Sequence, residues 1–237
     1  MNWDVKRKFW KDVTVISHGD GYRLLLDGRE LKTPTKTELQ IPTDALAQAM
    51  AAEWEAQDEK IVPDTMPLTR AANSAVVKVA PQFDAVAGML VEYGGSDLIC
   101  YRAESPTELI KRQAAAWDPW IEWSATSLGA PLIAVMGVIH HTQPEASLAS
   151  FKQNVAAFSA FELAGLHDLI TLSGSLVLGL AVAKQAVAVE EAWELSRIDE
   201  TWQIEQWGED DLATEASDRK REDFIQAARL LELLREA

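Results

Sequence analysis

The chain has 237 residues, 48% of them apolar and 25% charged, which suits one large or two modest domains and excludes a mainly disordered chain. With 37 acids against 22 bases the formal net charge is −15, a field that repels nucleic acid and anionic membranes and draws basic partners. A single cysteine, Cys100, excludes an intrachain disulfide and fits a reducing compartment.

The opening stretch MNWDVKRKFWKD is charged throughout and has no apolar run, so no secretory leader is expected. The next residues read as β structure. Val13 to Ile16 is β-branched, His18 to Gly21 is a turn, and Tyr22 to Leu26 is a second strand. Asp27-Gly28 is the strongest hairpin signal in the chain. Glu38 to Ile41 alternates like a further short strand. Strands this short and this tightly joined predict an antiparallel sheet.

After Pro42 the pattern turns helical. Thr43 or Asp44 can cap a helix to about Gln57, with Leu46, Met50 and Trp54 on one face. Pro67 opens a helix to about Val79, and a further segment follows Pro81 and ends at Tyr93-Gly94-Gly95. Ser105-Pro106-Thr107-Glu108 reads as a capping box that starts a helix, with a kink or break expected at Pro119. Leu132 to Ile139 fits a buried strand or an extended connection. The remainder reads as helices, and the uncharged run between Asp168 and Lys184, shorter than the roughly 20 residues that span a bilayer, as a buried one. The fold class is therefore α+β: a small antiparallel β-rich N-terminal part, residues 1–80 including the first helices, followed by a larger mainly helical part, residues 81–237.

The stretch Val189 to Asp210 stands out, with Trp193, Trp202 and Trp207 among eight acids. Nothing before Gly208 breaks a helix, so one helix over 189–207 is expected. Ala192, Leu195, Ile198 and Trp202 fall on one face, with Trp193, Ile204 and Trp207 nearly opposite. Two apolar sides mean either a core helix or a partner surface.

Motifs for catalysis are missing. The chain has no HExxH, no GxGxxG and no phosphate loop, and His140 and His141 are adjacent rather than four apart. No cofactor or metal is expected. The acids of Asp199 and Glu200, if joined by His167, could serve a hydrolase or lyase as acid and base. Nine tryptophans favour a binding protein, since Trp buries much area at little entropic cost.

Certain strings, in order, carry a resemblance. They are Arg7 to Trp10, Tyr22 to Pro34, Ala52 to Gln57, Met66 to Asn73 and Asp97 to Arg102. Gln113 with Trp117-Asp118-Pro119, Ser196 to Glu200, Gln203-Ile204 and Trp207-Gly208 follow. Together the chain resembles the assembly chaperones of the ATP synthase F(1) sector, the type that handles the α subunit in mitochondria and α-proteobacteria. It departs at Ser96, where Thr is usual, and at Val77, where an acid is common. The resemblance implies a non-catalytic protein, a monomer when free, that protects the free α subunit before the α/β hexamer forms. It also implies no nucleic-acid partner, no membrane insertion and, for a bacterial member, a cytoplasmic setting. By motif position the client-binding candidates are Trp54, Asp199, Glu200, Glu205 and Trp207.

Overall fold

The computed structural model describes residues 7–236. The part of the leader reading that rests on residues 1–6 lies outside them. The chain forms two compact units. One holds the chain up to Phe83 with Ala160–Gly165 and the chain from Arg229 on, and the other holds Asp84–Ser159 and Leu166–Ala228. Two late segments thus belong with the first unit, which a division by sequence position does not express.

The first unit begins with an antiparallel meander of β1 (Val13–His18), β2 (Gly21–Leu26) and β3 (Arg29–Glu30). The register pairs Val13 with Leu26 and His18 with Gly21. Asp27 and Gly28 make the β2–β3 turn in left-handed geometry (φ 49° and 76°), as their residue types predict. The Asp27 carboxylate also accepts from the Lys11 and Asp12 amides at 2.9 and 3.0 Å. The stretch 38–41 adds two isolated bridges, Lys32 to Glu38 and Tyr22 to Ile41, rather than a strand.

Helix α1 (Asp44–Glu55) is capped by Thr43, whose hydroxyl accepts from the Leu46 amide and donates to the Leu233 carbonyl at 2.7 Å. Its buried face of Leu46, Met50 and Trp54 closes a core with Leu24, Leu26, Leu39, Ile41, Leu68 and Leu230. Trp10 meets Trp54 edge to face at 5.1 Å. Helix α2 (Pro67–Ser74) has no side-chain cap of its own. Glu53 supplies one from α1, accepting from the Leu68 amide at 2.7 Å and from the Thr69 amide and hydroxyl at 2.8 and 2.7 Å. A carboxylate there meets both the unpaired amides and the positive end of the helix dipole.

The α geometry of α2 stops at Ser74, short of the expected Val79. A wider π turn covers Ala75–Val79 and a tight turn covers Ala80–Gln82. Pro81 explains this, because its ring clashes with the carbonyl four residues back. Helix α3 follows at Phe83–Glu92. The helical run Pro67–Cys100 is long and apolar enough to cross a membrane by length and composition, with mean hydropathy 1.3. It is broken by these turns and holds the buried Asp97 near its end.

In the second unit β4 (Tyr101–Arg102) pairs in parallel with β5 (Val135–Met136). Helix α4 (Thr107–Ser127) runs through Pro119 as one helix rather than splitting into two there. Its N-cap is Pro106, not Ser105, and no side chain caps it, so the expected capping box does not form. Helices α5 (Glu145–Ala156), α6 (Ala160–Ser173), whose first residues to Gly165 belong to the first unit, and α7 (Leu176–Ala183) follow, with Gly174 at φ 73° separating the last two. All eight residues of α7 are buried. Its N-terminus is held by Ser175, which accepts from the Leu178 amide, and by Asp97, which accepts from the Val177 amide at 3.0 Å and the Ile99 amide at 3.2 Å.

The stretch 189–207 is two helices, α8 (Val189–Ser196) and α9 (Ile198–Trp207), before α10 (Asp211–Leu233). Arg197 leaves helical geometry at φ −114° and ψ 18°. A continuous helix would bond the Asp199 amide to the Leu195 carbonyl. That carbonyl instead accepts the Trp117 indole N–H at 2.8 Å, and Ser196 bends back onto the Trp193 carbonyl at 2.7 Å. Gly208 ends α9 at φ 88°, as expected.

Candidate functional site

Helix α4 positions α9 through a set of polar anchors. Gln113 is almost wholly buried. Its amide nitrogen donates to Asp199 at 2.6 Å and its amide oxygen accepts from the Ala103 backbone at 2.7 Å. One residue earlier Arg112 makes two bonds to Glu205, at 2.6 and 2.9 Å. This bidentate fork holds the Glu205 carboxyl below its ordinary value and the guanidinium above its own. Arg102 bonds Asp118 at 2.8 Å and lies 5.1 Å from the centroid of the buried Trp117 ring. Burial pushes Arg102 below the usual arginine value, while Asp118 and Asp199 push the other way.

These anchors border a cleft of about 370 Å³. Arg102, Glu104 and Pro106 line one side, Asp199, Trp202 and Trp207 another, and Gly137 and Val138 a third. Trp207 is 79% exposed, and Ile204 and Leu212 near it are also exposed.

The structure sorts the candidates from sequence. Trp54 is buried in the core of the first unit, with 6% of its surface open, which leaves its side chain little to offer a partner. Its place is that of an anchor for α1. Asp199 and Glu205 are occupied by Gln113 and Arg112. Glu200 is half exposed and paired with Arg197 at 2.9 Å along the helix. Asp199, Glu200, Glu205 and Trp207 share one short helix, and Trp54 does not join them. Trp193, placed on one face with Trp207 by a single helical wheel, is buried against Phe224 at 5.5 Å between ring centres. The break at Arg197 turns α9 out of line with α8, so one helical wheel cannot describe both.

His167 does not come to the acids. Its Nδ1 faces Asp168 at 2.8 Å, and it lines no part of the cleft that holds Asp199. Among the described residues no three His, Cys, Asp or Glu side chains gather as a metal centre would require. Cys100 is buried, and burial pushes its thiol up to about 12, which keeps it protonated and unreactive.

The segment 132–139, which the sequence left between a buried strand and an extended connection, is mostly a surface connection, with Met136 59%, Val138 94% and Ile139 83% exposed. β5 is a strand of two residues at the surface rather than a core strand. The signal was the flanking composition: Gly137 and the two histidines after Ile139 suit a surface loop better than a core.

Comparison with known proteins adds the following. A sequence model of the family described as ATP12 chaperone protein matches residues 7–125. The mitochondrial protein atp12 of Schizosaccharomyces pombe is 24% identical over 216 residues, which cover 85% of this chain and 74% of its own length. The crystal structure of Atp12 from Paracoccus denitrificans matches with a TM-score of 0.94 at 47% identity, covering 99% of this chain and 100% of its own. The crystal structure of Atu1473 protein from Agrobacterium tumefaciens matches with a TM-score of 0.93 at 40% identity, covering 98% of this chain and 87% of its own.

Proposed function

The chain belongs to the ATP12 chaperone family, and from that premise we propose that it binds and protects the free α subunit of the ATP synthase F(1) sector before the α/β hexamer closes. The observation that carries this reading is Trp207, a large aromatic left 79% exposed beside a cleft on an acidic helix. Fully covering a side chain of that size yields roughly 4 kcal/mol before ordering costs. An unpaired subunit presents a large apolar interface that aggregates until it is covered. Glu200 is the acid best placed to meet a basic group on the client, because Asp199 and Glu205 spend their oxygens on Gln113 and Arg112. Those two acids act by fixing the pose of α9. The work is non-catalytic holding, by a chain that is a monomer when free, and it needs no cofactor.

The test is capture by the purified, tagged full chain of separately expressed α and β subunits, with the assembled hexamer as a third arm. Retention of free α, and of neither β nor hexamer, is expected. Failure to retain α, or preference for the hexamer, would sink the proposal.

A further inference from the structure

We propose that the segment Val135 to Ile139 is the second wall of the client site, and that it takes an extended segment of the client bearing an apolar side chain next to a Lys or Arg. This inference rests on the proposed function and adds a surface to it.

Three observations carry it. The first is display. Val138 and Trp207 line the same cleft at 94% and 79% exposure, so two large apolar side chains border one opening with nothing covering either. The second is preorganisation. Gln143, itself buried, clamps Ile133 by donating to its carbonyl at 2.9 Å and accepting from its amide at 2.8 Å. Gly137 donates to the Arg102 carbonyl at 2.8 Å and holds φ 83°. A β-carbon at Gly137 would come within 3.2 Å of Glu104. The apolar side chains therefore stand on a fixed backbone, so less ordering cost falls on binding. Among the described residues β5 has a strand neighbour on one side only, and an extended peptide can pair along the other.

The third observation is charge. Two acids line the cleft, Glu104 and Asp199, against one base, Arg102, which is already matched by Asp118. Asp199 is bonded to a neutral amide, and Glu104 has no ion-pair partner among the described residues. The opening therefore favours a cation beside the apolar group. The same sign argues against a second copy of this chain, which would bring another net charge of −15 to the contact.

The experiment uses the full chain and α subunit freshly diluted from denaturant. A photo-crosslinking amino acid is placed at position 138 in one preparation and at position 207 in another. The substitutions Val138→Asp and Glu104→Lys are made separately. Crosslinks to α from both positions are expected. Capture should fall about tenfold with Val138→Asp and about threefold with Glu104→Lys, with unchanged melting temperatures, since both side chains are exposed. If α is captured and crosslinks from position 207 but not from 138, and Val138→Asp binds like the wild type, the second wall is wrong and the proposed function stands. Crosslinks from 138 to another copy of this chain would also overturn it. If the wild type captures no α, the proposed function fails and this inference falls with it.

Discussion

Replacing Asp97 with Asn probes a carboxylate that is wholly buried and caps α7. Desolvation raises its pKa from an ordinary 3.8 to about 6, against bonds from Ser175, Val177, Ile99 and Leu176 that favour the charged form. The folded chain thus holds this proton more tightly than the unfolded chain. The resulting stabilisation is complete below 3.8 and is lost as pH rises through about 6. In full it amounts to about 3 kcal/mol, of which roughly 1 kcal/mol is gained on going from about pH 7.5 to about pH 5. The assay is urea unfolding of wild type and Asp97→Asn at both pH values. Subtracting one protein's response from the other's cancels the titration of the remaining acids. The wild type should gain roughly 1 kcal/mol more than the variant on acidification. Equal responses within about 0.3 kcal/mol, or a carboxyl titration by carbon NMR centred below about 4.5, would refute the reasoning.

Four further outcomes are expected. Gln113→Ala should lower stability by about 2–3 kcal/mol in urea unfolding, because it strands the Ala103 amide and frees Asp199. Trp54→Ala should cost about 3–5 kcal/mol by emptying the core of the first unit, with client capture at low temperature little changed. Glu200→Lys should do the reverse. Its exposed pair with Arg197 contributes at most about 0.5 kcal/mol, so the melting temperature holds while capture of the α subunit weakens in a pull-down. Removing the chain from Arg229 on should strip Leu230 from the first core and leave the Thr43 hydroxyl without its acceptor, read as faster amide hydrogen exchange around α1.

What could be read from the sequence was local. Asp27-Gly28 specified its own turn, Thr43 its own cap and Gly208 its own helix end, because each acts within a few residues. The two apolar sides of 189–207 left core and surface open for Trp207, and only the family resemblance named it as a contact residue. The break at Arg197 was not readable, since it depends on Trp117, 78 residues before Leu195. The fixed roles of Asp199 and Glu205 depend on partners 86 and 93 positions away. The cap that Glu53 gives α2 depends on α2 folding back onto α1, with Leu68 15 residues on. For Val138 periodicity could not choose between a buried strand and a connection, because apolar character predicts burial only on average.

The composition of the first unit bears on biosynthesis. Its sheet and first helices are translated well before the segment with Leu230 and the Leu233 carbonyl that completes the Thr43 contact. Every piece of the second unit is made before that segment. The sheet and first helices therefore emerge ahead of the second unit, yet their core cannot be completed until all of the second unit has been made.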